Sequence, residues 1–385
     1  MNAFIRIICI SLIVILFLCS LLILFKAPTN FLWKVSVLAT ESGHYAAIIT
    51  LSILILSHIY VFKNLYFNVL GILAICIFLQ PVVQAVSISG NINHNLEKAF
   101  GPPELPFKAL KLDFYRLYAG SSFKNYTFKE LSYSTDSNVS LGVDLYMPKE
   151  RKKSVPCVVA IHGGSWSSGN RKDLNDLNYY LAEHGIAVAA VSYRLSPKYI
   201  FPAQLNDIGA VIQWIRKNAI ETGVDTSNIF LLGRSAGGQI AEVYGINEGR
   251  QKIKGIIAFY SPADLVWGYA NPAHPWVHDS RKVLREYLGG DYKGNERIYK
   301  DATCLYGNVK NAPPILMIHG ENDVMVAYGH NTRLQKVLNK YNIPNYLLSL
   351  PWATHGCDYF FNGPSGQLSA HAIEYFIRRY KSESE

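Results

Sequence analysis

The sequence predicts an α/β domain built on a mostly parallel sheet with helices on both faces, preceded by three transmembrane helices. Two observations carry that prediction. Between Val155 and Leu350 several short runs are apolar throughout and are separated by stretches of helical period, which is how strands covered on both faces read. Residues 1–90 are different material: three long apolar runs interrupted by only five charged residues, Arg6, Lys26, Lys34, Glu41 and Lys63.

The apolar runs at about 4–25, 45–62 and 65–86 contain 18 to 22 residues each. At about 1.5 Å of rise per residue, each reaches across a hydrocarbon layer of about 30 Å. Lys63 and Asn64 then form the tip of a hairpin between the second and third. A cleaved leader would explain the first run alone, but the run is long and no small-x-small cleavage site follows it. Basic residues divide almost evenly between the two faces such helices would have, so the positive-inside rule does not fix which side carries the remainder of the chain.

The formal net charge is +9, scattered and without a basic block interleaved with aromatics. Nucleic acid is therefore excluded as an expected partner, while anionic headgroups could attract the domain loosely. Of six cysteines, Cys9, Cys19 and Cys76 lie in the apolar runs and Cys157, Cys304 and Cys357 in the remainder. They show neither a C-x-x-C pair nor metal-ligand spacing.

Residues 91–120, with Gly101-Pro102-Pro103 and Pro106, read as a linker, and 121–385 as the catalytic domain. Leu141, Val143, Leu145 and Met147 alternate as in a half-buried strand, with Tyr126 to Tyr133 as its antiparallel partner. The wholly apolar runs follow at Val155–Ile161, Ala187–Val191, Ile229–Leu232, Gly255–Phe259, Ile315–Ile318 and Tyr346–Leu350. Leu174, Leu177 and Leu181 mark one helix between them, and Ile208, Val211, Ile212 and Ile215 another. Residues 261–310 exceed a simple crossover and are expected to form a cap, with Trp267, Tyr269, Trp276 and Tyr287 as candidate pocket walls.

In a parallel sheet the chemistry sits where the strands end. After Ile229–Leu232 comes Gly233-Arg234-Ser235-Ala236-Gly237, and Ala236, Ile240, Val243 and Tyr244 continue at helical spacing. Strand, sharp turn and helix are the setting a nucleophile elbow needs: the serine takes a strained conformation and its neighbours two away must be small. His162-Gly163-Gly164-Ser165-Trp166 ends another strand, and the backbone N–H groups of Gly163, Gly164 and Ala236 could cradle an oxyanion. Asp323 and His355 follow two further strands and supply an acid and a base in the order this sheet imposes. Asp264 and Glu321 are alternative carboxylates, although Asp264 suits a helix cap better. His162 and His319 read as structural, and Arg234 as ion-paired or as an anion contact.

From about Val155 onward the chain resembles the α/β-hydrolases of the hormone-sensitive-lipase and related carboxylesterase group. The resemblance rests on His162-Gly163-Gly164-Ser165-Trp166, Ser192-Tyr193-Arg194-Leu195-Ser196-Pro197 with Phe201-Pro202-Ala203, Gly233 to Gly238, and the Asp323 and His355 loops. It implies the α/β-hydrolase fold, a Ser235–His355–Asp323 triad and an oxyanion hole from Gly163, Gly164 and Ala236. Ser165 stands where the lipase branch commonly has glycine, and the acetyl-xylan and feruloyl esterase branch shares a His-Gly-Gly-x-Trp loop, so the substrate branch stays open.

The function expected is hydrolysis of a small-molecule or lipid ester through an acyl-enzyme, at a multi-pass membrane location. It needs no metal or other cofactor. An acyltransferase or a serine peptidase with the same triad, and a membrane-bound binding protein without activity, are the alternatives.

Overall fold

Three long helices lead the chain: α1 (Asn2–Leu24), α2 (Asn30–Tyr60) and α3 (Leu65–Phe100). Each is long and apolar enough to cross a membrane. The computed structural model describes residues 2–60, 64–120, 127–150, 154–249 and 251–382; Lys63, the end of the expected second span and Tyr126 lie outside them.

Both later helices exceed the expected spans, for a physical reason. Ser36, Thr40, Glu41 and His44 break the apolar run of α2, yet all are buried against the rest of the protein rather than facing lipid. In α3 the segment 91–100, expected as linker, is helical. Ile92, Leu96 and Phe100 recur every four residues and make one buried stripe, which docks on the last helix of the chain. Arg379 Nε donates to the Phe100 carbonyl at 2.7 Å, and Phe100 packs edge-on against Phe376.

After α4 (Phe114–Ala119) come β1 (Phe128–Ser134), β2 (Ser140–Tyr146) and β3 (Val155–Ile161). Next are α5 (Asp176–Glu183), β4 (Ala187–Val191), α6 (Ala203–Lys217), α7 (Ala219–Thr222), β5 (Val224–Arg234) and α8 (Ala236–Glu248). β6 (Gly255–Phe259) precedes α9 (Leu265–Ala270), α10 (Ser280–Leu288) and α11 (Glu296–Asp301), which occupy the expected cap segment. β7 (Ile315–Gly320), α12 (Gly329–Lys340), β8 (Asn345–Leu350) and α13 (Pro364–Tyr380) complete the chain.

The strands form one sheet in the order β1-β2-β4-β3-β5-β6-β7-β8, parallel from β4 to β8, with β2 antiparallel to both its neighbours. This is the α/β-hydrolase fold. Alternate residues of each central strand enter different cores. Val158, Phe230, Leu232, Ile257 and Leu316 meet α5, α13 and the end of α3, while Val159, Leu231, Ile256 and Met317 meet α6, α8 and α12. Full burial on both faces is why these strands read as unbroken apolar runs.

Candidate active site

Ser235 sits at the junction of β5 and α8 with φ 52° and ψ −118°, and its N–H donates to the Phe259 carbonyl at 2.9 Å. Glycine is required on both sides of this turn. A Cβ on Gly233 would lie 2.1 Å from the Gly237 carbonyl oxygen, and one on Gly237 would lie 2.3 Å from that of Ile161. Both approaches fall far inside van der Waals contact, so the turn closes only as written.

His355 and Asp323, on the loops after β8 and β7, converge on this serine. Ser235 Oγ lies 3.0 Å from His355 Nε2, and His355 Nδ1 lies 2.8 Å from Asp323 Oδ2. The other Asp323 oxygen accepts the N–H groups of Met325 and Val326, each at 2.8 Å. Burial acts to raise the Asp323 carboxyl, but the facing His355 and the hydrogen bonds of His319 and His355 outweigh it and hold the carboxyl well below the usual range. The carboxylate therefore stays ionised.

His319 Nε2 lies 3.1 Å from Asp323 Oδ2 and 3.0 Å from the Val326 carbonyl, both acceptors, so this nitrogen carries the proton. Its Nδ1 lies 2.8 Å from Asn331 Nδ2 and accepts. His319 thus helps to hold Asp323 in place.

The His-Gly-Gly turn is braced by the motif after β4. Tyr193 stacks on His162 and donates its hydroxyl to the His162 carbonyl at 3.1 Å, while Arg194 Nε pairs with buried Asp207 at 2.8 Å. Gly163 and Gly164 border the cavity above Ser235, and Ala236 a second one. In that second cavity burial lowers His278 and pushes His330 down to about 3, so both are neutral at ordinary pH.

The alternative carboxylates are occupied elsewhere. Asp264 caps α9, accepting the Trp267 N–H at 2.9 Å, and pairs with Arg333 at 2.8 Å; Glu321 is exposed. Arg234 is buried and ion-paired, its Nε 2.5 Å from Asp358 Oδ2. The other Asp358 oxygen accepts the Tyr260 hydroxyl at 2.5 Å, and the Tyr260 ring lies 4.5 Å from that of His355.

Aromatic side chains expected to wall the pocket do not. Among the described residues, Trp166, Trp33, Tyr260 and Tyr359 border the two cavities at Ser235, and Trp267, Tyr269, Trp276 and Tyr287 do not. Tyr287 instead stacks beneath Trp166. Leu174, expected on a helix, precedes α5 with φ 52° and borders the cavity. Sequence reading missed Asp358, three residues beyond His355 and visible as a charge in an otherwise uncharged loop. It also missed Trp33, for which the sequence carries no signal, since its partner is 322 residues away.

The model of the BD-FAE family matches residues 143–338, about half of the chain. Esterase LipC of Mycobacterium tuberculosis is 25% identical over 248 residues, 59% of this chain and 59% of its own. The isoprenylcysteine alpha-carbonyl methylesterase of Arabidopsis thaliana is 32% identical over 238 residues, 58% of this chain and 55% of its own. Thus the chain spans less than two thirds of the length of the curated relatives it matches. Among solved structures, a bacterial heroin esterase aligns with a TM-score of 0.59 and 26% identity over 69% of this chain and 87% of that one. An esterase from Pyrobaculum calidifontis, 20% identical with a TM-score of 0.58, shares the fold. With the matched segment carrying the elbow, the His-Gly-Gly turn and the Asp323 loop, the chain belongs to the BD-FAE family, within the carboxylesterase group of α/β-hydrolases.

Proposed function

We propose that the protein is a membrane-anchored carboxylic ester hydrolase in which Ser235, His355 and Asp323 form a catalytic triad. The observation that carries this reading is the unbroken chain of contacts from Ser235 Oγ through both nitrogens of His355 to Asp323, at 3.0 and 2.8 Å.

Ser235 Oγ attacks the ester carbonyl carbon as His355 Nε2 takes its proton. The carbonyl oxygen becomes an oxyanion, met by the backbone N–H groups of Gly163, Gly164 and Ala236. Asp323 keeps His355 in the tautomer that accepts at Nε2, and balances the imidazolium charge. Collapse of the intermediate breaks the bond to the alcohol oxygen, which leaves with the proton from His355. Water then attacks the acyl-enzyme by the same route, releasing the acid and restoring Ser235. The helices α1, α2 and α3 hold this domain at a membrane, in keeping with their length and apolar character.

The full-length protein in detergent micelles should hydrolyse p-nitrophenyl acetate and be labelled by a fluorophosphonate, while Ser235→Ala should do neither. Equal rates from wild type and Ser235→Ala, both folded, would remove this reading.

A further inference from the structure

Ser235 borders two cavities, and they differ in size and in the groups that line them. One holds about 50 Å³ and is bordered by Trp166, Pro262, Leu265 and Leu284 together with His278 and His330. The other holds about 450 Å³ and is bordered by Trp33, Gly163, Gly164, Tyr260, His355 and Tyr359. Ser165 and Met325 face both.

Reaction chemistry assigns the two ends of an ester to these spaces. The departing oxygen must lie against the imidazole that protonates it, and His355 borders only the larger cavity. The alcohol part therefore occupies the larger cavity and the acyl part the smaller. At roughly 10–15 Å³ for each water-sized group, the smaller space fits an acyl chain of about three to five carbons. The larger falls in the range that receives whole drug-sized groups, about 300–1,000 Å³.

The outer wall of the larger cavity comes from the membrane region. Trp33 lies in the first turn of α2, where its ring borders the cavity and its indole N–H is held by the His355 carbonyl at 3.0 Å. Phe31, in the same turn, is 71% exposed, and Trp276 is 73% exposed. Asn30 ties the start of α2 to the cap segment, donating its N–H to the Trp276 carbonyl at 2.9 Å and its amide to that of Val277 at 3.0 Å.

We propose that the site is built for esters of a short acyl group with a bulky, lipid-soluble alcohol, which packs against Trp33. This rests on the hydrolase and membrane readings above. The acyl cavity sets the chain-length limit, and the α2 tryptophan makes the membrane region part of the binding site.

The test uses full-length protein in phosphatidylcholine vesicles with two substrate series. One varies the acyl group of p-nitrophenyl esters from acetate through butyrate to octanoate. The other varies the alcohol through methyl, hexyl and hexadecyl acetate, whose leaving groups are similarly basic. We expect kcat/KM to fall about tenfold or more from butyrate to octanoate, and to rise about tenfold or more from methyl to hexadecyl acetate. Trp33→Ala should lower the hexadecyl-to-methyl ratio about tenfold, whereas Trp33→Phe should keep that ratio while kcat drops for lack of the indole donor. A preference for octanoate over acetate, for methyl over hexadecyl acetate, or an unchanged ratio in folded Trp33→Ala, overturns the assignment. Failure of every ester, with wild type no faster than Ser235→Ala, instead overturns the hydrolase reading on which it stands.

Discussion

The indole N–H of Trp33 donates to the backbone carbonyl of His355 at 3.0 Å, joining α2 to the loop after β8. About two turns further along α2, Glu41 grips the other end of that loop. Its carboxylate accepts the Ser365 hydroxyl at 2.7 Å and the Ser365 N–H at 3.1 Å, and Trp352 donates to the same hydroxyl at 3.1 Å. The histidine loop is thus held at both ends by α2.

Removing the second grip should disturb both stability and catalysis. In Glu41→Ala the buried Ser365 N–H is left without its acceptor, at a cost of about 1–3 kcal/mol. Thermal unfolding of the full chain in micelles should show a Tm lower by several degrees. Turnover of p-nitrophenyl acetate should also fall, by up to about 10²-fold, with the loss in kcat rather than KM. Unchanged Tm and kcat together would show that the contact holds nothing.

Asp323→Asn should reduce kcat by about 10⁴-fold with little change in KM, because an amide cannot hold His355 in the required tautomer. The carboxylate accepts four donors, from Met325, Val326, His319 and His355, so the folded state favours its ionised form. With the folded value depressed below the unfolded one near 3.9, its stabilisation is complete at neutral pH and is lost as pH falls below about 4. Acid unfolding of wild type should therefore begin in that window. The variant should be less stable at pH 7 and show a shallower acid limb, and parallel limbs would count against the assignment.

The sheet was legible because its strands are buried on both faces: Val155–Ile161, Ala187–Val191 and Gly255–Phe259 have the expected bounds. Legible too were the tight turns, since the contacts around Gly233 and Gly237 exclude any side chain. What the sequence could not convey is contact between distant segments. Ser36, Thr40 and Glu41 precede the expected second span, and only the fold shows them buried against the domain. The stripe Ile92, Leu96 and Phe100 was readable by spacing, but Gly101-Pro102-Pro103 after it drew the expectation toward a linker. Trp33 has meaning only through His355.

The Arg234–Asp358 pair is a second brace for His355, acting through Tyr260. Both side chains are buried and lie 2.5 Å apart, so removing one leaves an uncompensated charge. Asp358→Asn and Arg234→Met should each cost about 3–5 kcal/mol, read from urea unfolding. The double substitution should cost less than the two singles added, since it leaves neither charge stranded. Additive losses would mean that the two groups act independently.

Glu242 offers a prediction of opposite sign in pH. It lies on α8, fully buried, where its Oε2 accepts the Ser261 hydroxyl at 2.6 Å and its Oε1 has no partner among the described residues. Burial pushes its carboxyl up to about 8, against the lowering effect of Ser261 and Cys304. Below about pH 4.3 both folded and unfolded chains carry the proton, and this group is neutral toward stability. Between about 4.3 and 8 the unfolded chain has lost it while the folded chain keeps it, so stability falls by up to about 1.4 kcal/mol per pH unit. Glu242→Gln mimics the protonated form at every pH. Its Tm should nearly match that of wild type at pH 4.5 and exceed it increasingly up to pH 8, reaching several degrees. A Tm difference that stays constant across that range would mean that Glu242 is ionised in the folded protein, with its charge matched by a group on another element.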